Sequence, residues 1–256
     1  MKTVAVILGA GKGVRMQSDP PAGPPAARHG EAGLPKVFHK LAGKPMLEHV
    51  IDAVKEAGIE KVFVVVGHKK EMIKDYFKGH DVVFVDQDQQ LGTGHAVMMA
   101  EPHLKDFQGQ VVVLAGDVPL IKPATIKKLI EFNLARRASA TDLTAVLPDA
   151  GNYGRIVRKP DGEIVRIVEK KDASPEELQI KEINTGTFCF NASDLFAALK
   201  EVKAENAQKE YYLTDTIEIL RSHGKHVYAL ATDDPHEVLG VNTKEELAEM
   251  EKLQNQ

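Results

Sequence analysis

The apolar run Val4 to Leu8 passes directly into Gly9-Ala10-Gly11-Lys12-Gly13-Val14-Arg15. Glycine permits positive φ and close approach, so successive backbone N–H groups in such a turn can converge on an anion. Arg15, and Lys36 further along the chain, would add full positive charges. A tight structural turn is the competing reading, and the loop alone leaves both open. Its spacing does exclude two common nucleotide fingerprints. There is no G-x-x-x-x-G-K-S/T, and glycines at 9, 11 and 13 do not fit G-x-G-x-x-G. The second strand also runs into Gly67-His68, with no acidic residue to hold a ribose.

Asp117 is the next candidate. It follows the apolar run Val111 to Ala115 and so lies at the carboxyl end of a strand, where ligands bind in open α/β sheets. A turn aspartate ahead of Pro119 is the alternative. Asn242, taken singly, reads as a helix N-cap before Thr243-Lys244-Glu245-Glu246. Cys189, the single cysteine, sits in Thr187-Phe188-Cys189-Phe190-Asn191 and reads as a core residue. His95 opens a helical pattern and has no second histidine at metal spacing. Lys69-Lys70 and Lys127-Lys128 read as solvated helix faces.

The elements that must position these residues alternate short β-branched runs with amphipathic segments, the pattern of βαβ units around a mainly parallel sheet. Strands are expected at 4–8, 61–66, 82–85 and 111–115. Met46 to Ala57 reads as a helix with Leu47, Val50, Ile51 and Val54 on one face and Gly58 as its stop. Further helical segments fall near 69–78, 93–101 and 123–137, giving an α/β, doubly wound core. From about Thr141 alternating strands take over, with Pro160-Asp161-Gly162 as a hairpin turn. The sheet is therefore expected to extend into a smaller, partly antiparallel lobe that includes Ile183 to Phe190. Helices near 192–200, 212–222 and 243–253 close the chain. The segment 17–34, with Pro20, Pro21, Pro24 and Pro25 among Ala and Gly, is expected to be a flexible insertion.

Composition bounds the class. The 256 residues are 43% hydrophobic and 27% charged, an ordinary soluble globular balance. A net charge of -4 offers no broad cationic face, so nucleic acid is not the expected partner and phosphate recognition must be local. One cysteine allows no intrachain disulfide, and no stretch approaches the ~18 apolar residues of a membrane helix. A cytoplasmic location with no membrane partner is the expectation.

Leu8 to Met16, followed by Pro35-Lys36, resembles the signature of the sugar nucleotidyltransferases. Gln87, Gln90-Leu91-Gly92-Thr93-Gly94-His95-Ala96, Gly116-Asp117-Val118-Pro119-Leu120 and Tyr153-Gly154-Arg155-Ile156 follow in order. Ile167-Val168-Glu169, Glu182-Ile183-Asn184-Thr185-Gly186 and Gly240-Val241-Asn242 complete the set. The series is similar to the N-acetylglucosamine-1-phosphate uridyltransferase domain of the bifunctional bacterial uridyltransferase/acetyltransferase, over nearly the whole chain.

That resemblance implies a Rossmann-like fold of the nucleotide-diphospho-sugar transferase type, a single domain with a nucleotide-binding half (about 1–140) and a sugar-binding half (141–256). It implies that UTP and N-acetylglucosamine 1-phosphate give UDP-N-acetylglucosamine and pyrophosphate. A sugar phosphate with a second pKa of about 6 is ionised at pH 7, so no general base is needed. The lack of a Ser/His/Asp or Cys/His constellation then fits. Catalysis would rest on Mg2+, Arg15, Lys36 and Asp117, with Asp117 and Asn242 matching the family's two metal ligands. Leu8, Gly9, Ala10, Gly11, Lys12, Gly13, Lys36, Gly116 and Asp117 would hold the nucleotide, and Gln87, Gln90, Gly92 and Thr93 would surround the uracil edge. Gly154, Glu169, Asn184 and Asn242 would contact the sugar, with Tyr212 and Thr214 as further candidates.

Gly9, Val14 and Ala115 depart from the family's usual alanine, threonine and tyrosine, and segment 17–34 separates Arg15 from Lys36 by more residues than usual. No hexapeptide-repeat region follows the last helix, so no acetyl transfer is expected. Glucose 1-phosphate with UTP or dTTP is the nearest alternative pair, and a catalytically silent nucleotide-sugar sensor is the alternative of another class.

Overall fold

Val4, Ala5, Val6 and Ile7 are all buried. A strand covered on both faces has no polar side, which is why its sequence is continuous rather than alternating. In the computed structural model, which describes residues 2–11, 13 and 34–254, that strand is the centre of the sheet. Lys12, Val14, Arg15 and segment 17–33 lie outside the described residues. Leu34, the last residue of the expected insertion, packs half-buried against the core.

In chain order the strands are β1 (Lys2–Leu8), the short pair β2 (Lys40–Leu41) and β3 (Lys44–Pro45), β4 (Lys61–Val66), β5 (Val83–Asp86) and β6 (Gly109–Ala115). They continue as β7 (Ala140–Val146), β8 (Arg155–Arg158), β9 (Ile164–Val168), β10 (Glu182–Asn191) and β11 (Val227–Ala231). The helices are α1 (Met46–Glu56), α2 (Lys70–Tyr76), α3 (Thr93–Met98), α4 (Pro123–Ala135), α5 (Ala192–Leu199), α6 (Asp215–Ser222) and α7 (Lys244–Gln254).

The sheet runs β11-β7-β10-β6-β1-β4-β5, with β8 paired to β10 and to β9. β1, β4, β5 and β6 are mutually parallel. The change of character near Thr141 is real: β10 enters antiparallel between β6 and β7, and β11 adds parallel to β7. Ile73 of α2 and apolar residues of α1 and α4 cover one face together with Ala5, Ile7, Val62 and Val64. Apolar residues of α3, α5 and α6 cover the other with Val4, Val6, Phe63 and Val65. A small third cluster of Leu41, Met46, Val241 and Met250 fastens α7 to the β2-β3 pair. Among the described residues no helix is long and apolar enough to cross a membrane.

Local chemistry sets the ends. At the close of α1, Gly58 N–H bonds Lys55 O and Ile59 N–H bonds Val54 O, the paired bonds of a Schellman stop. The turn at 159–162 joins β8 to β9 as its residues predict. Two boundaries differ from expectation. Lys69 takes a left-handed φ of 54° and caps α2 instead of lying on its face. Lys70 does not point freely to solvent, because it pairs with Asp86 and Asp88. The helix expected from 212 begins at Asp215, because the preceding residues pair with another loop. Tyr211 N–H bonds Leu91 O and Gly94 N–H bonds Tyr211 O, both at 2.8 Å.

Candidate active site

Parallel strands end their hydrogen-bond ladders at a common carboxyl edge, and the loops leaving that edge are tied to one another here. Gly9 N–H donates to Val65 O (2.8 Å), Gly116 N–H to Leu8 O (2.9 Å), His68 N–H to Ala10 O (3.2 Å) and Gln87 N–H to Val66 O (2.8 Å). The backbone N–H groups of Gly9 and Gly116 therefore extend the sheet and are not turned toward an anion, which corrects the simplest reading of the glycine run. Gly11 is exposed and Gly13 partly so. Gly13 has φ +59°, and a Cβ on it would lie 2.6 Å from Lys36 Cβ. Only glycine lets the loop rest on the Lys36 stem.

Lys36 leads a short turn whose neighbours Val37 and Phe38 are buried, which fixes its backbone. Its ammonium donates to Asp117 Oδ2 and, at 2.7 Å, to Asn242 Oδ1. Both sides of the ion pair are largely sheltered, at 16% and 19% side-chain exposure, so the attraction is screened less than on an open surface. Asp117 stands just past β6, and its carbonyl accepts Val241 N–H at 2.9 Å. Asn242 Nδ2 donates to Gly240 O at 3.3 Å. The helix-cap alternative for Asn242 fails: Thr243 Oγ1 accepts Glu246 N–H (3.1 Å), while Glu246 Oε2 accepts the N–H groups of Thr243 and Asn242. Thr243 is the cap of a capping box, and the Asn242 side chain is left to face Lys36.

The residues expected around a base edge form a second group. Gln87 is 3% exposed, and its Nε2 lies 3.1 Å from Gly92 O and 2.9 Å from His95 Nδ1. Its amide donor thus shapes the loop that it shares with Gln90, whose Nε2 donates to Gln87 O. Gly92 has φ +115°, and an added Cβ would meet Tyr211 O at 2.5 Å. Thr93 Oγ1 accepts Leu213 N–H at 3.1 Å. Gln87, Gln90, Gly92 and Thr93 are brought together, and they are joined to 211–213. Burial lowers the His95 pKa, in keeping with an imidazole that is a helix residue of the loop.

The third group lies where β9 ends. A Cβ on Gly154 would lie 3.1 Å from Ile167 Cγ2 and 3.5 Å from Glu169 Oε1, and the Gly154 carbonyl accepts Asn184 N–H at 2.9 Å. Asn184 Oδ1 accepts Gly186 N–H within the irregularity of β10 between Asn184 and Thr187. Thr214 Oγ1 donates to Glu169 Oε1 at 3.4 Å. Burial, then the charges of Asp172, Asp215 and Glu210, hold the Glu169 carboxyl above its usual range, and the Thr214 bond opposes them. The Tyr212 hydroxyl accepts from Gln208 Nε2 and donates to Asp172 Oδ2, and burial pushes its pKa up to about 12. Glu169, Asp172, Tyr212 and Asp215 line a cavity of about 420 Å³.

Tyr153 was the residue missed. Gly240 N–H donates to its hydroxyl at 2.8 Å, so the residue before Gly154 holds the segment that carries Asn242. The signal was its place beside Gly154, but no local pattern names a partner 87 residues away. The described candidates thus form one connected set, running from Gly13 and Lys36 through Asp117, Asn242 and Gly240 to Tyr153, Gly154 and Glu169. Lys12 and Arg15 lie outside the described residues.

Residues 5–212 match the family described as the MobA-like NTP transferase domain. The chain belongs to that family. It is 48% identical over 256 residues to bifunctional protein GlmU of Streptococcus pyogenes serotype M3, covering 100% of this chain and 52% of that protein. It is 49% identical over 253 residues to the Streptococcus gordonii GlmU, covering 99% and 52%. The Acetivibrio thermocellus GlmU is 49% identical over 250 residues, covering 98% and 51%. The chain spans about half the length of these curated relatives. A solved UDP-glucose pyrophosphorylase complexed with UDP-glucose shares the fold, with a TM-score of 0.76 over 100% of this chain and 99% of that one at 19% identity.

Proposed function

We propose that this chain transfers a uridylyl group from UTP to N-acetylglucosamine 1-phosphate, giving UDP-N-acetylglucosamine and pyrophosphate. The observation that carries the reading is the meeting of Lys36, Asp117 and Asn242 beside the glycine loop, at the sheet edge where the family motifs fall. Similarity to the GlmU proteins over the whole chain supports the substrate pair. GlmU-type nucleotidyltransferases generally depend on a divalent metal, and we take it to be Mg2+.

The donor set suits that ion. Among the described residues no cluster of three His, Cys, Asp or Glu side chains could hold a metal by itself. Asp117 Oδ2 and Asn242 Oδ1 nevertheless converge on one cationic group, the Lys36 ammonium. Two hard oxygens, completed by phosphates and water, are what Mg2+ commonly takes. When bound it would supply charge neutralisation and orientation of the phosphates.

An oxygen of the sugar phosphate attacks the α-phosphorus of UTP; the bond to the bridging oxygen breaks, and pyrophosphate leaves with the electron pair. Lys36 and Arg15 stabilise the charge that develops on the phosphates. Gly11 and Gly13 let the loop approach them. Gln87 shapes the base pocket with Gln90, Gly92 and Thr93. Glu169 and Asn184 face the sugar, and Gly154 leaves room for it. We take the enzyme to be cytoplasmic, a compartment where its one cysteine, the buried Cys189, needs no disulfide partner.

Pyrophosphate release over a grid of nucleotides (UTP, dTTP, ATP) and sugar phosphates (N-acetylglucosamine, glucose) tests the reading. Turnover is expected with UTP and N-acetylglucosamine 1-phosphate, and loss of one oxyanion-stabilising or metal-binding group in Asp117→Ala should lower it about a hundredfold or more. Turnover only with glucose 1-phosphate would replace the substrate. No turnover with any pair, with ligand binding intact in Asp117→Ala, would make the chain a nucleotide-sugar sensor.

A further inference from the structure

The two oxygens assigned to the metal are the two that receive the Lys36 ammonium. A divalent cation and an ammonium repel each other and compete for the same lone pairs. We propose that Lys36 is a built-in place-holder for the divalent cation: it keeps Asp117 and Asn242 aimed at one point and yields that point when metal arrives with a triphosphate. The proposal deepens the reading above and rests on it.

Three observations carry it. The pair is sheltered, so an Asp117 carboxylate without a cation partner would be costly, and the ammonium removes that cost. The segments that carry these side chains are also held independently of Lys36, because Val241 N–H bonds the backbone carbonyl of Asp117, Asn242 Nδ2 bonds Gly240 O and Gly240 N–H bonds the Tyr153 hydroxyl. The ammonium can therefore leave without the backbone at Asp117 and Asn242 losing its anchors. Finally, the Lys36 stem lies against Gly13 of the phosphate loop. A four-carbon stem with a rotatable head can swing from the two oxygens to an anion seated in that loop. Metal alone would have to displace the ammonium with nowhere to put it, whereas metal with triphosphate offers the ammonium a new partner.

Binding of Mn2+ alone, read by electron paramagnetic resonance of the free ion, tests the idea in the full chain. Lys36→Met keeps the stem and removes the charge, and Lys36→Gln is a second uncharged variant. Each should bind Mn2+ without nucleotide at least about tenfold more tightly than the wild type, the scale of one lost charge-assisted hydrogen bond. Adding Asp117→Asn to either should abolish the gain, and UTP should tighten Mn2+ binding in the wild type far more than in Lys36→Met. Equal Mn2+ affinity in folded wild type and variants, or a gain that survives Asp117→Asn, overturns the proposal. Uridylyl transfer in a wild type whose variants show no gain removes the place-holder alone. A gain in a chain that turns over no substrate pair keeps the place-holder and removes the activity.

Discussion

Tyr153 acts through other residues, and its hydroxyl separates what it does from what it merely fills. Tyr153→Phe keeps the ring and removes the acceptor for Gly240 N–H. A single hydrogen bond of this kind contributes about 1 kcal/mol, roughly fivefold in an equilibrium constant. The expected result is a higher Mg2+ concentration for half-maximal rate with little change in KM for UTP, measured by titrating metal at saturating substrates. At this scale the sequence was partly legible. Asp117 stood out as a candidate because it follows a buried run at a strand's carboxyl end, and Lys36 because Pro35-Lys36 follows the glycine loop in the motif order; the structure brings the two together. Gln87 was expected near a base edge but not as a loop organiser, since its partners Gly92 and His95 become visible only once the loop is folded. Asn242 looked like a cap because asparagine and threonine are both good caps, and only the Glu246 bonds decide between them.

Between elements, the contact of the 91–94 loop with 211–213 fixes the base-side group to the residues that flank Glu169. Gly92→Ala would place a Cβ 2.5 Å from a backbone oxygen at a φ that L-residues rarely adopt. Strain of about 1–3 kcal/mol, before the clash is counted, is expected. Thermal melts should show a fall of at least about 2–4 °C, with KM for both substrates raised, because the strain can relax only by parting the loop from Tyr211. The strands of the first half were legible because buried parallel strands carry unbroken apolar runs such as Val62 to Val66. The stretch 211–214 was not, since its apolar spacing suits a helix, and the pairing of Tyr211 with Leu91 and Gly94 holds off the helix until after a turn at 213–214. Nor was the irregularity at Asn184–Thr187, because it changes register without changing the hydrophobic pattern.

Across the whole molecule, buried acids set the pH response. Asp142 is fully buried, neither of its oxygens has a hydrogen-bond partner among the described residues, and burial holds its carboxyl well above the usual range. Burial, then the charges of Glu218 and Asp172, raise Asp215 from 3.8 to about 6. A carboxyl whose folded pKa lies above its unfolded one contributes stability below the unfolded value and loses it as pH rises through the folded one. Asp215→Asn, which cannot ionise, should therefore melt like the wild type near pH 4, gain on it progressively as pH rises from about 4 to about 6, and keep a constant lead above that, the window that the shift defines. A constant difference at every pH would mean that Asp215 acts through packing or hydrogen bonds instead.

The place of β10 between β6 and β7 has a consequence for how the chain is made. On a ribosome β6 and β7 emerge long before residues 182–191, and until those residues arrive each of the two strands has an open edge toward the missing one. The sheet is joined only when β10 slides between them, by contacts distant in sequence that close slowly. The nascent half that carries Lys36 and Asp117 must wait, exposed to wrong pairing, for a strand from the half that carries Asn184.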